Sequence, residues 1–205
     1  MAFNTSNWHI EQEKILSRKD ASLVLALAKR TRFEDYVMLA VSANTGLRVC
    51  EVLHLTGENI KKNALVVTRR KKKTLTPETI PITPDLCKLM VSLMQKLNVP
   101  YGWLWPGSCH PCPTFMHQSY LCEGGHISKR EVQRRWTFYL DELGLAQKGR
   151  GIHSLRHYAV TEFYRVHRDI RAAQVFAGHS SSVITETYAH VVDMEEKVNA
   201  IKPIL

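Results

Sequence analysis

The 205-residue sequence has no apolar run approaching the length of a bilayer span, so a membrane-crossing helix is not expected. Met1 to His9 lacks the basic start and apolar core of an export signal. A Gly-rich phosphate loop is missing too, which leaves a nucleotide cofactor without its usual cradle. Internal repeats and low-complexity stretches are absent, which excludes solenoids and argues against long disordered segments. Acidic residues are scarce. Lys and Arg number 28 against 19 Asp and Glu, a net charge of +9 that suits a polyanionic partner, because cations on phosphates release counterions. The five cysteines, without an export signal, point to a reducing cytoplasm in which thiols stay free or hold metal.

At 44% hydrophobic and 23% charged, the chain can bury one sizeable core, and residues 1–205 read as one domain. A lead-in precedes a helix that ends near Lys29 (Leu23, Leu25, Ala26 and Ala28 apolar), and a second helix runs from Phe33 to Ala43. A third starts at Arg48, with Val49, Val52, Leu53 and Leu55 inward and Glu51 placed to orient Arg48. From Asn63 the period becomes that of strands: Ala64 to Thr68 and Thr79 to Ile82 form a β-hairpin, with turn-rich residues between. Arg69, Arg70, Lys71, Lys72 and Lys73 fall between those strands and read as a phosphate-contacting face. Thr83-Pro84 opens a helix to about Leu97. Ser128 to Glu131 is a capping box for a helix reaching Gly144, one face of which carries Lys129, Arg130, Arg134 and Arg135, a second candidate DNA-binding surface.

Residues 151 to 188 concentrate chemistry. Ser154 is positioned to cap an amphipathic helix (Leu155, Tyr158, Ala159, Phe163, Val166), which sets His153 and Arg156 near its first turn. A helix start with an arginine beside it suits an anion such as a carboxylate or phosphate. Asp169 to Ala177 is a short helix stopped by Gly178. His179 follows in the turn, and Ser180 to Ser182 cap another short helix carrying Tyr188. Val191 to Ile201 (Val192, Met194, Val198, Ile201) is an amphipathic tail.

The pattern His153-Ser-Leu-Arg156-His157, Gly178-His179-Ser-Ser and Tyr188, with Thr45-Gly46-Leu47-Arg48 upstream, resembles the tyrosine recombinases of the phage-integrase family. The resemblance covers the chain from about residue 15 to the end. It implies an α+β, mostly α-helical catalytic domain with a small β-hairpin sheet. It also implies a site-specific recombinase that cuts and rejoins double-stranded DNA through a 3′-phosphotyrosine. Tyr188 would be the nucleophile, Arg48 and Arg156 the clamps on non-bridging oxygens, His153 the proton acceptor and His179 a hydrogen-bond donor to the phosphate. Lys71, with Lys72 and Lys73 as alternatives, would protonate the departing 5′ oxygen. No cofactor is needed for this chemistry. Relatives imply a homo-oligomer, a tetramer on paired sites, joined through the C-terminal tail, and a bacterial, phage or mobile-element cytoplasm. Only about 15 residues precede the pattern, so an N-terminal core-binding domain is not expected, as in the single-domain recombinases of fimbrial switches.

Residues 107–126 depart from the family pattern. Cys109, Cys112, Cys122 and His126 offer four ligands for a structural zinc, with His110 and His117 spare, although small proline-rich loops also hold free thiols. Two rivals to recombination remain open: a type IB-like topoisomerase of the same chemistry, and a non-catalytic DNA-binding regulator.

Overall fold

The structure, a computed structural model, describes residues 15–71, 74–98, 102–107, 122–123 and 125–199. In chain order the elements are α1 (Arg18–Thr31), α2 (Phe33–Thr45), α3 (Val49–Leu53), β1 (Ile60–Lys61), β2 (Ala64–Lys71), β3 (Thr74–Pro81) and α4 (Pro84–Leu97). Then come β4 (Cys122–Glu123), β5 (His126–Ile127), α5 (Lys129–Glu142), α6 (Ser154–His167), α7 (Ile170–Ala177) and α8 (Ser182–Asn199). The fold is mostly α-helical, with one small antiparallel sheet ordered β1-β2-β3 and a two-stranded β4-β5 ladder. Among the described residues, no helix is long and apolar enough to cross a membrane.

Side-chain caps start four of the helices. Ser17, Thr83 and Ser128 each accept from the N–H three residues on, and the Asp169 carboxylate accepts from Arg171 and Ala172. Each satisfies amides that the first turn leaves without a helical partner. α2 is buried nearly all round, with Val37 to Ala43 inside, because α1, α4 and α6 all pack on it. α8 lies across α6 and α7, where Ala189 and Val192 meet Tyr164 and Ala173.

Several expectations are corrected. β3 begins at Thr74 rather than Thr79, and Arg69 to Lys71 belong to β2, not to the tip. The Thr-Leu-Thr-Pro-Glu stretch reads as a turn, but Pro77 is tolerated because β3 is an edge strand that needs no donor on its outer side. Ser154 does not cap α6. Its N–H bonds the Gly151 carbonyl, the turn winds one residue early, and His153 takes the cap position in helical geometry. Tyr188 and the start of the expected tail share one helix, since nothing between Thr187 and Val191 breaks it. Val192, expected to reach a neighbouring subunit, is buried against this chain's own α6–α7 pair.

Arg135 is also corrected. It points inward, donating to Glu131 at 2.7 Å and to Asp35 at 2.8 Å, while Tyr139 donates to the other Asp35 oxygen. This network pins α5 to α2, so Arg135 is not a DNA-facing cation. Hydrogen bonds from Arg134, and then those from Arg135, hold the Glu131 carboxyl down at about 2. A depressed carboxyl stabilises the fold fully above its unfolded value of about 4.3 and loses that contribution as pH falls toward the folded value. The thermal midpoint should therefore drop between about pH 4.5 and pH 2. In Glu131→Gln it should start lower and fall less steeply over the same window; an unchanged slope would show that this network does not govern acid stability.

Candidate active site

Two glycines shape the site before any catalytic side chain enters it. Gly46 ends α2 and Gly178 ends α7, both in the left-handed conformation (φ +62° and +63°) that L side chains avoid. Each helix end leaves carbonyls without partners, and arginines supply the donors. Arg156, buried on α6, donates to Gly46 O at 2.6 Å and to Ala177 O at 2.7 Å, so its guanidinium bridges the C-termini of α2 and α7. Of its five N–H groups, three remain for a ligand. Burial, with Arg48 close by, lowers its pKa to about 10, which leaves it cationic at neutral pH.

Arg69 was expected on the DNA-facing run and is instead 1% exposed. It donates to Phe176 O at 3.0 Å and pairs with Glu78 at 3.1 Å. That cation ties the hairpin to the end of α7, next to His179. A Cβ on Gly178 would sit 1.7 Å from Arg69 Nη1, so glycine is required there twice, for conformation and for space. Gly144 has the same left-handed geometry with nothing within 4 Å. Gly144→Ala should therefore cost only about 1–2 kcal/mol of backbone strain. Gly178→Ala should cost visibly more in a urea titration, because Arg69 must leave its slot. Equal losses would mean that Arg69 is not wedged there.

Arg48 precedes α3, where the Glu51 carboxylate accepts from its backbone N–H at 2.7 Å and its side chain at 3.0 Å. Buried Glu51 thus fixes the direction of a half-exposed guanidinium, the orienting geometry expected of it. His153 is exposed at the head of α6. Burial of part of its ring, then Arg156, Arg48 and Lys129, lower its pKa, so it is neutral at pH 7. His179 follows Gly178, with Nδ1 3.0 Å from the hydroxyl of fully buried Thr185. Burial first, then Arg156 and Arg48, bring it down to about 4. The bond to Thr185 engages Nδ1 and fixes the direction of the ring.

Tyr188 on α8 is 2% exposed. Its ring lies 5.7 Å from that of His157 and stacks at 6.0 Å on that of His179. Burial pushes the phenol up to about 12 against the pull of Arg156 and Arg48. Its hydroxyl is 2.8 Å from Nδ1 of His157, the contact expected of His153. His157 sits next to Arg156 in the sequence, and no spacing along the chain points to its contact with Tyr188. Thr185 lies one helical turn before Tyr188, and their i, i+3 spacing on α8 is the sequence signal that places both on the face toward His179.

Lys71 closes the described ladder, paired with Thr74, and Arg70 pairs with Leu75. Lys72 and Lys73 lie outside the described residues. On α5, Lys129 and Arg130 are exposed, and Arg134 is 70% exposed while forking onto Glu131. Of the zinc candidates, Cys109 and Cys112 lie outside the described residues and Cys122 is placed in β4. His126 is buried, with Nδ1 2.8 Å from Ile127 O, an arrangement that leaves Nε2 for a ligand bond; the His54 ring is 4.8 Å away. Among the described residues, no group of three or more metal-ligating side chains forms.

Comparison with known proteins bears on the family and the fold. Residues 14–195 match the family model described as the phage integrase family. The chain is 27% identical over 187 residues to a probable integrase/recombinase protein of Methanocaldococcus jannaschii, covering 89% of this chain and 53% of that protein. It is 30% identical over 168 residues to the tyrosine recombinase XerC of Caldanaerobacter subterraneus, covering 80% and 44%. The chain thus spans about half the length of these curated relatives. Among solved structures, it resembles XerH site-specific recombinase bound to palindromic difH substrate (TM-score 0.71, 16% identity, 93% of this chain and 53% of that one). It also resembles the catalytic domain of bacteriophage HP1 integrase (TM-score 0.60, 19% identity), covering 91% of this chain and 94% of that domain.

Proposed function

The chain belongs to the phage integrase family, and from that premise we propose that it is a site-specific DNA recombinase that cuts and rejoins strands through a 3′-phosphotyrosine. The observation that carries the reading is the meeting of Arg48, Arg156, His179 and Tyr188 from four separate segments around the ends of α2 and α7. A metal-free attack on a phosphodiester needs a nucleophile, charge neutralisation and proton transfer at both oxygens. Tyr188 attacks phosphorus, and Arg48 and Arg156 hold the non-bridging oxygens as charge builds. His179 donates to one of them through Nε2, neutral His153 is poised beside them, and Lys71 protonates the 5′ oxygen. Arg70, Lys72, Lys73, Lys129, Arg130 and Arg134 supply contacts to the DNA backbone.

The partner is double-stranded DNA, and the protein works as a tetramer on paired sites in the cytoplasm of a bacterial, phage or mobile-element host. The XerH complex with difH, whose fold this chain shares, supports the DNA partner. Because Val192 is docked in cis, oligomerisation through the tail would rest on residues beyond it. The test is strand joining between two duplexes carrying the DNA that flanks the gene. Joined products support recombination. Relaxation of supercoils without joining would favour a topoisomerase, and binding without cleavage a regulator.

No cofactor takes part in this chemistry. A zinc held by Cys109, Cys112, Cys122 and His126 would be structural, since four protein ligands leave no open position for water. Freshly reduced protein should then carry about one zinc per chain by elemental analysis, and chelation should lower the thermal midpoint without abolishing DNA cleavage. Metal-free protein of the same stability would remove the site.

A further inference from the structure

His179 follows Gly178 at the end of α7, and Gln174 pins its backbone from both sides. The His179 N–H donates to Gln174 O at 3.1 Å, and its carbonyl accepts from Gln174 Nε2 at 3.3 Å. A fixed backbone still leaves the ring its side-chain torsions, so its direction needs a second restraint. That restraint comes from α8, where the hydroxyl of fully buried Thr185 lies 3.0 Å from Nδ1. We propose that Thr185 is a positioning residue for strand transfer: its hydroxyl donates to Nδ1 of His179 and leaves the ring N–H at Nε2 for a phosphate oxygen. The proposal deepens the strand-transfer reading and rests on it.

Burial decides which group donates. Thr185 has no exposed surface, and among the described residues its hydroxyl has no hydrogen-bond partner besides Nδ1. Were the imidazole the donor, the hydroxyl proton would be buried without an acceptor, which native structures avoid. With the hydroxyl donating, both groups are satisfied. Burial first, then Arg156 and Arg48, hold the ring's pKa down at about 4, so at pH 7 it is neutral and carries one proton. Nδ1 as acceptor puts that proton on Nε2. His126 is the opposite case in the same chain. Its Nδ1 faces the Ile127 carbonyl, which can only accept, so Nδ1 holds the proton there. A hydroxyl partner permits His179 the other tautomer.

Thr185 and Tyr188 lie one helical turn apart on α8, and the His179 ring faces both, stacking on the phenol at 6.0 Å with the planes 16° apart. The helix that carries the tyrosine thus also aims the histidine. Thr185 forms no bond to phosphorus and gives up no proton; it acts through His179 alone. Removing its hydroxyl takes away the aim without touching Arg156, which Gly46 O and Ala177 O hold, or Arg48, which Glu51 holds. The loss should therefore appear in rate and not in DNA affinity.

The experiment has two arms, both on the full chain. In the first, histidines are labelled with 15N, and long-range 1H–15N spectra at pH 7 without DNA show which ring nitrogen carries the proton. The His179 signals, identified by their loss in His179→Ala, should place it on Nε2 in the wild type. In Thr185→Val they should move toward a mixture of the two tautomers. A proton on Nδ1 in the wild type, or an unchanged pattern in Thr185→Val, overturns the proposal; the wild-type spectrum does not depend on how any variant folds. In the second arm, a nicked duplex carrying the DNA that flanks the gene captures the protein covalently. His179→Ala removes the donor itself and should slow capture by roughly 10²–10³-fold. Thr185→Val should slow it by about 10-fold or more with DNA affinity near wild type, while Thr185→Ser, which keeps the hydroxyl, stays within about threefold. Added to His179→Ala, Thr185→Val should change the rate by less than about twofold, because the group it aims is gone. Losses that multiply instead would make Thr185 a merely structural residue and overturn the positioning role. Failure of the wild type itself to be captured, with the proton on Nε2 and its shift in Thr185→Val present, would overturn the strand-transfer reading rather than the hydrogen bond.

Discussion

Tyr188→Phe should abolish covalent capture on a nicked duplex while leaving DNA affinity and fold unchanged. The substitution removes one oxygen from a ring that is 2% exposed and packed between His157 and His179, so the α8 packing survives. What disappears is the one atom able to bond phosphorus. The arginines proposed to neutralise the phosphate do not depend on it: Arg156 is held by Gly46 O and Ala177 O, and Arg48 by Glu51. Binding should therefore change by less than about threefold while trapping falls below detection. Trapping that survives in Tyr188→Phe would remove the nucleophile assignment. Tyr158 and Tyr164 on α6 would then be the next tyrosines to substitute.

Lys71→Ala should slow cleavage by about 10²–10⁴-fold, the usual contribution of a positioned general acid. A 5′ alkoxide is a poor leaving group without a proton, whereas a thiolate leaves unaided because thiols ionise near pH 8.5. A duplex with sulfur in place of the bridging 5′ oxygen should thus restore Lys71→Ala to near the wild-type rate. Lys72→Ala and Lys73→Ala should mainly weaken binding and flatten its dependence on salt, as the loss of phosphate contacts does. The reasons for choosing Lys71 are the family resemblance and its place at the last described pair of the hairpin, opposite Thr74. Rescue by sulfur in Lys72→Ala or Lys73→Ala instead would shift the acid to that residue.

Much of this molecule was legible one residue at a time. Caps at Ser17, Thr83, Ser128 and Asp169 and stops at Gly46 and Gly178 depend on local hydrogen bonds and local backbone geometry, which neighbouring residues dictate. The same locality explains the failures. Ser154 has the chemistry of a cap, but a turn from Gly151 winds one residue earlier and swallows it. The Thr74 to Glu78 stretch has the composition of a turn, yet pairing with β2 outweighs that preference along an edge strand.

Charge was the least legible property. The run from Arg69 to Lys73 and the set Lys129, Arg130, Arg134, Arg135 look uniform as sequence. Arg69 on β2 and Arg135 on α5 turn inward, where they satisfy a carbonyl and carboxylates, while Lys129, Arg130 and Arg134 stay exposed.

The sequence by itself determined the family, the helical frame and the spacing of Arg48, His153, Arg156, His179 and Tyr188, because these follow from residue type and short-range periodicity. Only the tertiary structure decided what meets what. Arg156 closes over two helix ends 110 and 21 residues away, and Tyr188 rests against His157 rather than free in solvent, because α6, α7 and α8 can bury their apolar faces only by packing together. That burial raises the phenol, lowers His179 and sets an imidazole beside the tyrosine, and no spacing along the chain encodes such a contact.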